Sequence, residues 1–274
     1  MALWDALRGE LIDIIEWLDD TRDTMVYRYP RHDNEIKNGA KLIVRESQVA
    51  GFVNEGVLTD IFQFPGTFTL DTKNLPILAK IKGWKYGFES PFKSEIYFVS
   101  TRVFTDHKWG TKNPIILRDP EFGPTRLRAF GTFAIKVSDA ATFLKQIVGT
   151  DGRFTVDEIG EQLRDMITAR FADVVGASKI PVLDMASNQD ELGKFLTQRI
   201  GPDFEPFGLQ VVALMVENIS LPPEVEAALD KRTSMGVVGD LHKYVQYETG
   251  TAIGDAAKNP GGLAGAGAGM GAGF

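Results

Sequence analysis

Over the first twenty residues, MALWDALRGELIDIIEWLDD, apolar side chains recur at Leu3, Trp4, Leu7, Leu11, Ile14, Ile15 and Leu18. At roughly 100° per residue these positions fall within an arc of about 120° and leave Asp5, Gly9, Asp13, Glu16 and Asp20 on the opposite side, so the spacing predicts an amphipathic helix over 1–20. The pattern then changes. From 21 to 70 the chain is dense in β-branched and aromatic residues, punctuated by Asn38-Gly39, Asn54-Glu55-Gly56 and Pro65-Gly66, which predicts strands joined by tight turns. Further strands are expected at Glu95 to Thr101 and at Arg126 to Val137. In the latter, Leu127, Ala129, Gly131, Phe133, Ile135 and Val137 share one parity and predict a single buried face.

From Asp139 the period becomes helical. Asp139 is a candidate cap for a helix through Val148, and Thr155-Val156-Asp157-Glu158 reads as a capping box ahead of Ile159, Leu163, Met166, Ile167, Phe171 and Val174. A shorter helix is expected from Asn188 to Ile200, ended by Gly201-Pro202. Leu209 to Val216 is a nearly continuous apolar run, which predicts a strand buried on both faces. Pro222-Pro223-Glu224 suits the first turn of a last helix. The tail, GGLAGAGAGMGAGF, is expected to be disordered.

Composition narrows the function. The 274 residues are 43% hydrophobic and 24% charged, ordinary for a globular chain with a sizeable core. There is no cysteine, which removes disulfides, thiolate nucleophiles and thiolate metal sites. A net charge of −7 argues against a protein that tracks nucleic-acid phosphates. The opening stretch carries six acids against Arg8, so it reads as neither a signal peptide nor a spanning helix. Its acidic back face leaves three targets open: the protein's own core, a partner, or a lipid surface approached through Trp4 and the branched side chains.

No catalytic constellation is legible. His32, His107 and His242 lie far apart and lack an i, i+4 ligand partner. There is no phosphate loop, no dinucleotide fingerprint and no Gly-x-Ser-x-Gly elbow, and acid pairs such as Asp157-Glu158 sit where helix ends explain them. No cofactor or metal is expected. Two stretches remain unusual. In LAKIKGWKYGFESPFK, lysines 80, 82, 85 and 93 interleave with Trp84, Tyr86, Phe88 and Phe92, a mixture that suits a β core with solvated lysines, a lipid headgroup layer, or stacked single-stranded bases. In DHKWGTKNPIILRDPEFGPTRLRAFG, Arg118, Arg126 and Arg128 flank Asp119 and Glu121. Arginine–carboxylate pairing that fixes a turn is one reading, and a charged contact between subunits or with a partner is the other.

The order of these elements, closing on GLQVVALMVENISLPPEVEAALDKR, resembles the SPFH or band 7 superfamily, which includes stomatin, prohibitin and flotillin. The resemblance is carried by Gly208-Leu209, by Ile219 followed by Leu221-Pro222-Pro223-Glu224-Val225, and by Ala227-Ala228 with Lys231. FVNEG, PGTFTL, WGTKNPI, LRDPEFGP, LRAFGTFAI and FTVDEIGEQLR further resemble a bacterial, virion-core-like branch found with phage-shock-protein-A-type membrane scaffolds. The resemblance covers residues 1 to about 248. It implies an α+β fold: an amphipathic helix over 1–20, a β-rich first SPFH subdomain over 25–137 and an α/β second one over 138–220. A C-terminal helix over 222–248 and a Gly/Ala-rich tail over 249–274 complete the expected organisation.

The resemblance also implies a non-enzymatic scaffold or adaptor. Such a protein forms homo-oligomers and sits in the cytoplasm or on the cytoplasmic face of the cell membrane. Its partners are integral membrane proteins and a phage-shock-protein-A-like scaffold, with direct lipid contact as a further route and no nucleic acid. Branch relatives often continue to a cysteine zinc ribbon, for which this sequence holds no cysteine. An undetected hydrolase or regulatory enzyme, and a single-stranded nucleic-acid module centred on Lys80 to Lys93, are the competing readings.

Overall fold

The structure, a computed structural model, describes residues 13–30, 36, 39–70, 94–223, 225–227, 230 and 249–250. Its strands grow from local turns. β4 (Gln48–Asn54) and β5 (Val57–Phe62) are joined by Glu55 and Gly56, both at positive φ, the mirror-image two-residue turn that matches strand twist. β4 also pairs antiparallel with β7 (Ser94–Ser100), which pairs with β2 (Thr24–Arg28), and β2 is flanked by the short β11 (Arg153–Thr155). The resulting five-stranded sheet has the order β11-β2-β7-β4-β5. A three-stranded sheet, β1 (Ile14–Ile15), β3 (Ala40–Val44) and β6 (Gly66–Leu70), shares with it a core of Ile15, Trp17, Leu42, Phe52, Phe62 and Phe98.

The third sheet is built on β10 (Gly123–Val137), whose inward positions Leu127, Ala129, Phe133, Ile135 and Val137 are all buried, as the alternation predicts. Its first residues pair with β9 (Ile115–Asp119) and its remainder with β8 (Phe104–Gly110) and β12 (Leu209–Ser220). Asp139 caps the next turn, accepting from the Ala141 and Thr142 amides at 3.0 and 3.1 Å, and α1 (Ala140–Phe143) runs on as a π-helical turn through Val148. The Thr155 amide and hydroxyl both donate to Glu158 Oε1 at 2.9 Å, fixing the start of α2 (Val156–Ser178). A short α3 (Val182–Ser187), behind Pro181, precedes α4 (Gln189–Ile200). α2 buries Leu163, Ile167 and Phe171 against the inward face of the sheet, and α4 adds Leu192 and Leu196. Pro223, Val225–Ala227 and Asp230 are helical, as the Pro-Pro-Glu signal predicts.

Three expectations change. The N-terminal helix does not run through Asp13 to Asp20. Ile14 and Ile15 pair in parallel with Lys41 and Leu42, and Trp17 stacks on Tyr27 at 5.6 Å while its carbonyl accepts from Gln48 Nε2 at 3.1 Å. Strand pairing and burial of Trp17 outweigh helical periodicity here, because a short segment gains more from tertiary packing than from propensity. Ile15 is therefore core, while Ile14 and Leu18 are exposed, and the three do not share a docking face. Leu3, Trp4, Leu7 and Leu11 lie outside the described residues. Second, β12 is an edge strand buried on one face only: Val212 and Met215 are 41% and 51% exposed. Third, Thr249 and Gly250, assigned by composition to the tail, are helical, and the tail beyond them lies outside the described residues.

The first and second halves interlock. β11 closes the edge of the five-stranded sheet, β10 and β12 share a sheet, and one continuous core joins Met25, Val26 and Val99 to Phe143, Ile167 and Leu214.

Candidate docking surface

β9 and β10 form a hairpin whose turn is held by one buried carboxylate. Asp119 Oδ1 accepts from the Glu121 and Phe122 amides at 2.7 and 2.9 Å, and Oδ2 accepts from the Val182 amide at 2.7 Å. Burial by itself raises the pKa of this group, but the donors from Val182, Phe122 and Glu121 outweigh it and hold Asp119 below the ordinary carboxylate value. The arginine–carboxylate pairing expected for this turn is thus replaced by backbone donors. A small acid two residues before a turn amide satisfies that amide directly, with no long side chain to order.

The three arginines point the other way. The register sets Ile116 opposite Arg126 and Arg118 opposite Pro124, while Leu117 and Thr125 face inward. Arg118, Arg126 and Arg128 are all exposed, and none forms an ion pair among the described residues. On the same outward face Ile116 is 69% exposed and Phe130 47% exposed. Ile116 and Phe130 are not among the residues singled out from sequence, although Phe130 has the parity of Arg126 and Arg128. A groove of about 360 Å³ opens beside the stripe, between Arg126, Arg128 and Pro114 on one side and Leu221, Pro222 and Pro223 on the other. Arginines and the start of the C-terminal helix therefore border one concavity. Trp84, Tyr86, Phe88 and Phe92, the other expected docking group, lie outside the described residues.

Two further titratable groups have displaced pKa values. Asp139 lies below the usual carboxylate range because the Thr142 hydroxyl and amide bind its charged form. His107 packs against Phe133 with ring centroids 5.4 Å apart, and its Nε2 is buried with no hydrogen-bond partner among the described residues. Burial lowers its pKa, against the opposing pull of Asp157 and Asp106. The sign follows: below the ordinary histidine value the unfolded chain takes up more protons than the folded one, so stability falls as pH drops from neutral towards acid. In equilibrium urea unfolding, a His107→Gln variant is expected to show a shallower loss between pH 7 and 5. An unchanged slope would remove His107 as the cause.

The described residues thus form an α/β layer interlocked with β sheets, with an outward basic stripe beside the start of the C-terminal helix. The SPFH domain-Band 7 family matches residues 26–237, and the chain belongs to this family, whose members are generally membrane-associated and scaffold-like. It is 29% identical over 240 residues to the Bacillus subtilis (strain 168) protein YdjI, itself uncharacterised, covering 87% of this chain and 73% of that one. No helix among the described residues is long and apolar enough to cross a membrane.

Proposed function

We propose that this chain is a non-enzymatic scaffold or adaptor that self-associates and recruits envelope-stress proteins of the phage-shock type to the cytoplasmic face of a membrane. The observation that carries this reading is the exposed stripe of Arg118, Arg126 and Arg128, with Ile116 and Phe130 beside them, on a family domain whose perturbed carboxylates hold turns. Charges without ion-pair partners among the described residues, next to exposed apolar side chains, favour association, because an incoming acidic surface gains both Coulomb attraction and apolar burial. Asp119 and Asp139 both have lowered pKa values, so neither is poised as a general acid.

The N-terminal stretch supplies the attachment. Residues 1–12, which include Leu3, Trp4, Leu7 and Leu11, engage a groove on an integral membrane protein, and direct lipid contact is the rival mode. Because Ile15 and Trp17 belong to the core, the informative truncation removes residues 1–12 and leaves Asp13 onwards intact. Co-sedimentation with vesicles of zwitterionic and of anionic lipid, and with inner-membrane vesicles, tests the reading. The full chain is expected to pellet with the protein-containing membranes and the truncated chain to stay in solution. Failure of the full chain to pellet with any of the three would sink membrane recruitment.

A further inference from the structure

The molecule carries a second charged face on the far side of the same layer. Along the outward side of α2, Asp157 and Glu161 are exposed and form no ion pair among the described residues, while Glu158 is engaged in the helix cap and Asp165 with Lys112 at 2.9 Å. α2 covers the inward face of the sheet through Leu163, Ile167 and Phe171, with Phe171 5.0 Å from Trp109 between ring centroids. Arg126 and Arg128 occupy the alternate, outward positions. The basic stripe and the acidic helix face are thus on opposite sides of one slab and cannot meet within a single chain.

We infer that Arg118, Arg126 and Arg128 dock the outward face of α2 of a second copy, at Asp157 and Glu161, in a head-to-tail contact. The inference rests on the self-association proposed above and names its two surfaces. The spacings agree. Two residues along a strand advance about 7 Å and four residues along a helix about 6 Å, so Arg126 and Arg128 can each face one of the two carboxylates. Arg118, diagonal to Arg126 across the hairpin, widens the stripe, since diagonal neighbours lie about 7–8 Å apart. The outward positions of β9, and of β10 as far as Thr132, hold these three arginines and no carboxylate. On a chain with net charge −7 they form a basic island that draws an acidic surface and fixes its orientation. Ile116 and Phe130 add apolar area that contact would remove from water. Because the two faces differ, the contact is heterologous: it repeats from copy to copy and builds a ring or an open row.

Sedimentation velocity of the full chain, with charge reversals, tests this. The wild type is expected to assemble at low ionic strength and to loosen as salt rises. Arg126→Glu with Arg128→Glu, and separately Asp157→Lys with Glu161→Lys, are each expected to raise the dissociation constant about a hundredfold. Unchanged far-UV circular dichroism spectra for both pairs verify folding, with a small fall in melting temperature for the lysine pair because Asp157 lies in the first turn of α2. Mixing the two reversed proteins is expected to restore assembly, because the acidic helix face of one meets the native stripe of the other. Wild-type assembly that neither reversal weakens would overturn the inference and leave self-association standing. A wild type that stays monomeric at every concentration would overturn both. Anionic vesicles that bind the wild type but not the arginine-reversed protein, with assembly unaltered, would assign the stripe to a membrane surface instead.

Discussion

Replacing Gly131 by alanine is expected to destabilise the protein by about 3 kcal/mol, a fall in melting temperature of about 6–12 °C for a chain of this size. Gly131 lies on β10 opposite Trp109 of β8 and Val216 of β12, beside the bulge in which Glu217 is the extra residue. There the Met215 carbonyl turns under the sheet to accept the Trp109 indole N–H at 3.0 Å. A Cβ at Gly131 would fall inside that same carbonyl, and its nearest neighbours are all backbone atoms. No rotamer change relieves such a clash, so β12 must shift, and the buried indole loses its acceptor. The control is the same substitution in open space. Gly160 of α2 has nothing within 4 Å of a built Cβ, and Gly160→Ala is expected to be neutral or to stabilise by up to about 1 kcal/mol. Equal melting temperatures for the two variants would refute this account of the bulge.

The second large effect belongs to Asp119. Asp119→Ala removes three amide partners at once and leaves the buried Val182 amide unsatisfied, a loss of about 3–4 kcal/mol. Asp119→Asn keeps one acceptor oxygen but turns an amide group towards a donor, so it should fall between wild type and alanine. The pH dependence separates this from a packing defect. The folded-state pKa lies below the unfolded one, so between them the unfolded chain binds more protons and stability rises with pH. The contribution is complete above the ordinary carboxylate value and is lost as pH falls through the depressed folded value. Urea unfolding at pH 7 and pH 3 should show the gap between wild type and Asp119→Asn narrowing at the lower pH. A constant gap would mean that the charge of Asp119 contributes nothing to the turn.

How legible these features are in the sequence depends on how local their causes are. The β10 alternation, the Asp139 cap and the Thr155–Glu158 box depend on residues within a few positions of one another, and each is in place. Asp119 is different. Its turn signal is local, but the Val182 amide that makes the carboxylate indispensable is 63 residues away. The apolar run of β12 resembles a buried strand because hydrophobicity alone does not reveal that its outer face has no covering layer among the described residues. Ile14 to Trp17 keep helical spacing, yet the decisive contacts come from β3, Tyr27 and Gln48. Of the docking surface, the arginines were visible as a cluster, and their shared outward face required the β9–β10 register.

The pairing of β11 with β2 has a temporal consequence. Thr24 to Arg28 leave the ribosome well over a hundred residues before their partners Arg153 to Thr155, and β10 precedes its β12 partners by over seventy residues. Contacts of such sequence separation slow folding, since a long loop must close before either sheet is complete. The N-terminal half therefore spends its synthesis with a sheet edge and part of its apolar core exposed, open to chaperones or to neighbouring nascent chains. Full stability is therefore reached only once β11 and β12 have been made, late in synthesis.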